Sequence, residues 1–443
     1  MAVKLTKAKK FRVSHPILKN DLFKNLAKLK LSKKIAVAVS GGPDSLALTI
    51  LLNEYATQNN IELNALSIDH GLRKSSSSEL RWLSSELKKK KIRHKILKWK
   101  NPKPRSNILT EARNKRYALL IKECERINAK YLFTGHHFDD QVENILLRMI
   151  RGSGIKGLGS LQEKFKFNKH KTIICRPLLK YTKKSLISFL ANEDQKYILD
   201  PTNYNDSFDR SRVRKVIQHL INEGLDDQRL KKTIKNLKDA NNSINYLLNT
   251  SIRKFLSIND YGFFYISLRK FKLLPEEIKY RSISKILKLA GNGKYLPRSK
   301  NIQNLLEYTE KKNQKKFTIA GCIVEIRENK MIILPEVSRS LFEQKIKAKN
   351  FIWREIYKVS MKTDYAKGLV LRYLGSDGKD MLPKKYKDKL KLLKHEHASS
   401  YLSIWKQKQL VAVPSIGFSD KKVKTINKYE LTDIYELLEE ARV

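Results

Sequence analysis

The chain has 443 residues, 41% of them hydrophobic, and its 92 Lys and Arg against 44 Asp and Glu leave a formal net charge of +48. That length and apolar share require several folded cores and exclude a disordered chain. The three cysteines, Cys124, Cys175 and Cys322, are far apart, which excludes a disulfide framework or a zinc ribbon and fits a reducing cytoplasm. No apolar stretch reaches the length of a membrane span, and the basic start "MAVKLTKAKKFRVSHP" lacks an apolar secretory core, so no membrane anchor or leader is expected. The excess of bases is the footprint of a polyanion, a nucleic acid first, with an anionic membrane surface as the alternative.

In chain order, residues 20–31 form an amphipathic helix and "KIAVAV" (34–39) a strand buried on both faces. A helix over 45–58, a strand over 61–69, a helix over 75–91 and a strand over 93–99 follow. The prolines of "NPKPRSN" (101–107) make a loop, ahead of a helix over 108–129, a strand over 131–135 and a helix over 139–150. A glycine-rich loop (151–160), a strand within 172–179 and a helix over 183–194 complete the alternation. The fold class is therefore α/β: an N-terminal parallel sheet flanked by helices, Rossmann-like, over 1–212. The polar stretch 200–214 reads as a linker. A mainly helical middle domain (213–336, with strands at 315–335) and a small, lysine-dense α+β C-terminal domain (337–443) follow.

"AVAVSGGPDSLAL" (36–48) places a tight loop where a parallel strand meets a helix. Ligands bind at that edge of such sheets. Gly41 and Gly42 let backbone approach a ligand, Ser40 and Ser45 offer hydroxyls, and Pro43 suits the first helical turn. The helix start supplies free N–H groups and a positive dipole end, so the loop holds an anion such as phosphate. No Walker lysine is present, and Asp44 would repel phosphate unless a cation such as Mg²⁺ sat between them. An ordinary capped Gly-Gly turn is the bland alternative. "GSGIKG" (152–157) matches a dinucleotide fingerprint but follows a helix rather than a strand, so that reading fails.

Three further clusters lie on the same strand ends. "IDHGLR" (68–73) brings Asp69 and His70 toward a base or ribose, or merely caps a turn. "EARNKRYALL" (111–120) sets Arg113 and Arg116 one helical turn apart, suited to bidentate phosphate contact. "TGHHFDDQVEN" (134–144) packs two histidines and three acids into residues 136–143, with Asp139 and Asp140 each within a turn of Glu143. Hard carboxylate oxygens beside a nucleotide loop favour Mg²⁺ over zinc.

These motifs resemble the PP-loop ATP pyrophosphatases, which cleave ATP between its α and β phosphates. Within them the chain resembles the tRNA(Ile)-lysidine synthetase family. "SGGPDS", "DHGLR", "EARNKRY", "GHHFDDQVEN", "LLRMIRGSG", "RPLL", "DPTN" and "DRSRVR" run in the family's order across 35–214. A second stretch, 369–418, resembles the C-terminal domain of the longer members, while 215–335 matches only in its helical character. Asn144 stands where threonine is common, and "GLGSLQE" (157–163) replaces a segment usually ending in Gly-Met.

The resemblance implies ATP-dependent attachment of free L-lysine to carbon 2 of the wobble cytidine in CAU-anticodon isoleucine tRNA, through an adenylylated intermediate. It implies that Ser40, Gly41, Gly42, Pro43, Asp44 and Ser45 bind ATP, with Asp69 and His70 near the adenosine. Asp44 and Asp140 would hold Mg²⁺, Arg113 and Arg116 would face the reacting phosphate or base, and His136, Asp140 and Glu143 would form the catalytic and lysine-binding cluster. Arg151 and Arg214 would touch RNA. Thiolating and glutamine-hydrolysing relatives rely on cysteines that this chain lacks: it has no CxxC, and residue 2 is Ala. A non-catalytic RNA binder would gain nothing from the acidic cluster. The sequence is compatible with an oligomer.

Overall fold

The computed structural model describes residues 5–6, 15–69, 76–99, 108–159, 161–167, 170–199, 209–293, 296–311, 314–337, 343–346, 350–361, 368–391, 395–419, 426–431, 435 and 438. The chain divides into two compact units, 1–241 and 242–442. The first begins β1 (Leu5–Thr6), α1 (His15–Ala27), β2 (Lys34–Ala38), α2 (Pro43–Gln58), β3 (Glu62–Asp69), α3 (Ser76–Lys89) and β4 (Arg93–Lys98). It goes on through α4 (Ile108–Arg126), β5 (Tyr131–Thr134), α5 (Phe138–Ile150), α6 (Ile155–Leu158), β6 (Lys164–Lys166) and β7 (Ile173–Cys175). Then come α7 (Lys183–Asn192), β8 (Tyr197–Ile198), α8 (Asp209–Asn222) and α9 (Asp227–Phe255), which crosses the boundary between the units.

The main sheet has the order β4-β3-β2-β5-β7-β6. Its strands are parallel except β6, which pairs antiparallel with β7. From β2 the chain winds outward through β3 and β4, then returns to the other side of β2 for β5 and β7. The order therefore reverses between β2 and β5, where such folds open a crevice beyond the strand ends. Ile35 and Val37 of β2 pack with α2, α3 and α7, while Ala36 packs with Tyr117, Leu120 and Ile121 of α4. This is the two-faced burial that the continuous apolar run predicts.

Two expectations are corrected within this unit. The polar stretch 200–214 is not all linker, because α8 begins at Asp209. Val213 is buried, and Ile217 packs against Phe138 and Val142 of α5; this helical spacing was hidden by the surrounding charges. The glycine-rich loop contains the helical turn α6, and the Arg148 guanidinium donates to the Gly157 carbonyl there.

The second unit has a five-stranded antiparallel sheet with strand order Lys315–Ile319, Cys322–Arg327, Lys330–Pro335, Phe264–Ser267, Leu256–Ile258, and helices Glu276–Ala290 and Ser299–Glu310. The strands at 256–258 and 264–267 interrupt what the sequence suggested was mostly helical. They are too short for their own period to show, and pairing such as Phe264 with Ile333 defines them. Further on are a second five-stranded antiparallel sheet, built from segments between Gln344 and Ser419, and a three-stranded sheet of Asn350–Trp353, Tyr357–Met361 and Ile426–Leu431. No described helix is long and apolar enough to cross a membrane.

All three cysteines are buried and unbridged, and burial pushes each thiol up to about 12. At pH 8 a thiol reagent should therefore label essentially none of them in the native protein and all three after unfolding in guanidinium. Rapid labelling of any native thiol would contradict this packing.

Candidate active site

A cavity of about 520 Å³ opens at the switch point between β2 and β5, within the usual range for a small-molecule site. Its walls come from the ends of β2 and β3, the loops after β2 and β5, the faces of α3 and α4, the start of α7, and single side chains of β8 and α8.

The loop after β2 is shaped by its small residues. Gly41 has φ +86°, the left-handed region that favours glycine, and an added Cβ there would also press on the end of the Ile198 side chain. Gly42 precedes α2 as its cap and Pro43 opens the helix, as the sequence predicts. The Ser40 N–H donates to Ser45 Oγ (3.1 Å), and the Ser45 hydroxyl lies 3.2 Å from both Ser40 Oγ and the Gly42 carbonyl. The approach to the loop is pinned from behind. Ser67 donates to the Val39 carbonyl at 2.7 Å, and its Oγ lies 2.8 Å from His94 Nε2. That oxygen has given its proton to Val39, so the network assigns the histidine proton to Nε2 and makes Nδ1 the acceptor for Ser84, 2.8 Å away. Burial pushes the His94 pKa down to about 4, so the ring stays neutral near pH 7.

The loop after β5 meets the first loop backbone to backbone. A Cβ on Gly135 would sit 2.9 Å from the main chain of Asp44 and Ser45. His137, 5% exposed, then lies among three carboxylates: its Nδ1 is 3.2 Å from Asp139, and its Nε2 is 3.6 Å from Asp44 and 3.5 Å from Asp140. Burial alone would lower its pKa, but the contacts with Asp139 and Asp44 and the charges of Asp140 and Asp44 raise it to about 10. Its backbone N–H donates to Asp140 at 3.1 Å, tying that acid to the start of α5. Asp139 also accepts from the Lys183 N–H at 2.8 Å, which joins α5 to α7 and helps hold its carboxyl below the usual range against the effect of burial.

His136 behaves in the opposite way. Burial, aided by the Arg176 guanidinium, pushes its pKa to about 3. Its Nδ1 lies 3.0 Å from Thr134 Oγ1, so it is a neutral polar group on the cavity wall.

The other predicted residues divide between wall and surroundings. Ser40, Gly42, Pro43, Asp44, Ser45, Arg113, Arg116, His136, Asp140 and Arg214 all line the cavity. Arg113 and Arg116 lie over the Tyr117 ring, 5.7 and 5.5 Å from its centroid. Arg214 turns inward and donates to Glu143 Oε1 at 2.6 Å, while the buried Glu143 Oε2 has no partner among the described residues. Gly41 packs against β8 behind the loop. Asp69 ends β3 outside the lining set, and its carbonyl accepts from Trp99 N–H at 3.1 Å. Arg151 is exposed at the end of α5, and no described residue of 151–159 lines the cavity. His70 lies outside the described residues.

The sequence places Gly135 and His137 inside the cluster motif without a role for either, and does not mark Lys183 as part of the site. The signal for His137 was available: it stands at the N-cap with Asp140 three residues on, a reciprocal capping spacing. Nothing local marked Lys183.

Among the described residues no group of three or more His, Cys, Asp and Glu side chains is arranged to hold a metal by itself. The donors do fit a hard divalent cation that takes further ligands from phosphate. Among the described residues Asp44 Oδ1 is buried without a hydrogen-bond partner, and Asp140 and Asp44 approach the same histidine nitrogen.

A glycine-serine loop on a helix start, at the switch point of a parallel sheet and facing acids and arginines, defines an ATP-using enzyme of the PP-loop class. A family model described as a PP-loop domain matches residues 16–220. Named relatives match over more of the chain. The tRNA(Ile)-lysidine synthase of Orientia tsutsugamushi (strain Boryong) is 32% identical over 74% of this chain and 75% of its own length. That of Rickettsia prowazekii (strain Madrid E) is 31% identical over 88% and 91%, and that of Rickettsia bellii (strain OSU 85-389) 29% identical over 89% and 92%. The chain belongs to the tRNA(Ile)-lysidine synthase family.

Two measurements check the site's packing. Gly135→Ala should cost about 1–3 kcal/mol in denaturant unfolding and weaken binding of an ATP analogue, because main chain rather than a flexible side chain must move. Unchanged affinity and stability would mean that the two loops are not held as described. His94 takes up its proton near pH 6.5 when unfolded but only near about 4 when folded, so it withdraws stability as pH falls through that window. His94→Gln, which keeps a donor and an acceptor, should flatten the fall of Tm between about pH 6.5 and 4.5, and an identical slope in both proteins would count against the assignment.

Proposed function

We propose that this chain attaches free L-lysine to carbon 2 of the wobble cytidine in CAU-anticodon isoleucine tRNA, using ATP and releasing AMP and diphosphate. The observation that carries this reading is the cavity itself, with the SGGPDS loop and the His-Asp-Glu cluster on facing strand ends, in a chain of this family.

In the first half-reaction the oxygen on carbon 2 attacks the α phosphorus of ATP and diphosphate leaves. Gly42, Ser45 and the start of α2 offer donors to the phosphates. Arg113 and Arg116 stabilise charge that develops at the α phosphate. Asp44 and Asp140 would hold Mg²⁺, which when bound neutralises the leaving diphosphate. In the second half-reaction the side-chain amine of lysine attacks carbon 2 and AMP leaves. Glu143 supports a place for lysine, because among the described residues its buried Oε2 has no partner and can accept from an ammonium. His136 contributes a neutral hydrogen-bonding ring.

By this reading 1–212 performs the chemistry, while 213–336 and 337–443 grip the tRNA through the chain's excess positive charge. The enzyme works in the cytoplasm.

The test is ATP-dependent transfer of labelled lysine to two transcripts, the CAU-anticodon isoleucine tRNA and the elongator methionine tRNA. Only the first should be labelled. Asp44→Ala should all but abolish AMP formation, lowering it by about a hundred- to a thousand-fold on the scale of lost preorganised electrostatics, while tRNA affinity stays near that of the parent. Turnover comparable to the parent would reject the role of Asp44. AMP formation without lysine transfer would leave the ATP chemistry standing and require another nucleophile.

A further inference from the structure

A Walker-type loop carries its own lysine for phosphate, whereas this loop carries Asp44. The cavity nevertheless needs cations against a polyphosphate. Of those on its wall, Arg214 is engaged with Glu143 at 2.6 Å, and Arg113 and Arg116 rest on Tyr117. Lys183 differs from these. It opens α7 and lines the cavity with the loop residues, and among the described residues its ammonium forms no ion pair.

The backbone of Lys183 is held in a definite place. Its N–H donates to Asp139 at 2.8 Å, Asp139 lies 3.2 Å from His137, and His137 lies 3.6 Å from Asp44 in the phosphate loop. Three short contacts thus connect the lysine to the loop across the cavity. The lysine backbone is fixed through its N–H, and among the described residues its ammonium forms no ion pair, so the ammonium is left for a ligand.

We propose that Lys183 binds a phosphate group of ATP and of the departing diphosphate, supplying from a different helix the charge that the loop lacks. The inference rests on the reading of this cavity as an ATP site. A tRNA backbone phosphate has the same chemistry, so the experiment separates the two sources.

Inorganic diphosphate with Mg²⁺ and, separately, the tRNA transcript would be titrated into the full-length parent, Lys183→Ala and Lys183→Arg. Thermal melts would check that each variant is folded. Lys183→Ala should weaken diphosphate about ten- to a hundred-fold, the span of one charge-assisted hydrogen bond. Lys183→Arg should recover most of that loss, and tRNA affinity should change less than about two-fold. Equal diphosphate affinity in the parent and Lys183→Ala would overturn the inference while leaving the ATP site intact. A loss confined to tRNA would also overturn it and assign the lysine to the RNA backbone. Failure of the parent itself to bind diphosphate or ATP would overturn the ATP reading, and the inference with it.

Discussion

The site depends on one close approach, the main chain at Gly135 against the main chain of Asp44 and Ser45. Parallel pairing of β2 with β5, with Ala38 opposite Thr134, brings the two strand ends level. The absence of a side chain at 135 then lets the loops beyond them touch, since a Cβ would lie 2.9 Å from the opposite backbone. That contact sets the phosphate loop facing the acidic cluster. A bulkier residue would separate the two before any catalytic side chain was altered.

Within that frame the charges are arranged by mutual neutralisation. A buried carboxylate costs several kcal/mol unless it is paired. Here Asp139, Asp44 and Asp140 share the His137 imidazolium, and Glu143 takes Arg214. The pairing is incomplete in a definite way. Asp44 Oδ1 and Glu143 Oε2 are buried without partners among the described residues. Asp44 lines the cavity, so its free oxygen faces the place where the proposed cation would sit, whereas Glu143 lies behind the wall. The neutral His94 chain behind β2 and the neutral His136 on the wall add no charge of their own to the site near pH 7.

Neighbouring histidines illustrate how far a motif can be read. His136 and His137 are adjacent in "GHHFDD", and the sequence reading placed His136 in the catalytic cluster. In the fold, His136 lies against Thr134, and burial, aided by the Arg176 charge, disfavours its protonation, while His137 lies among three acids, which favour it. Arg214 shows the same limit: the sequence offers it as an RNA contact but does not reveal that its guanidinium also donates to Glu143. Adjacent residues leave the chain in different directions, and composition carries no record of which direction meets which partner.

The sequence by itself determined the parallel α/β domain, the position of the phosphate loop and the types of side chain at the strand ends. Those features are local: apolar runs buried on both faces, glycine and proline where a turn and a helix start require them, and acids at a helix N-terminus. Tertiary structure alone decided that β2 and β5 are neighbours, that Gly135 admits the loop contact, that His137 rather than His136 holds the acids, and that Lys183 reaches the cavity. Each of these depends on groups far apart in the chain, whose pairing follows from strand order and packing. The short strands at 256–258 and 264–267 belong with them, because their partner is the strand Lys330–Pro335 rather than anything in their own few residues.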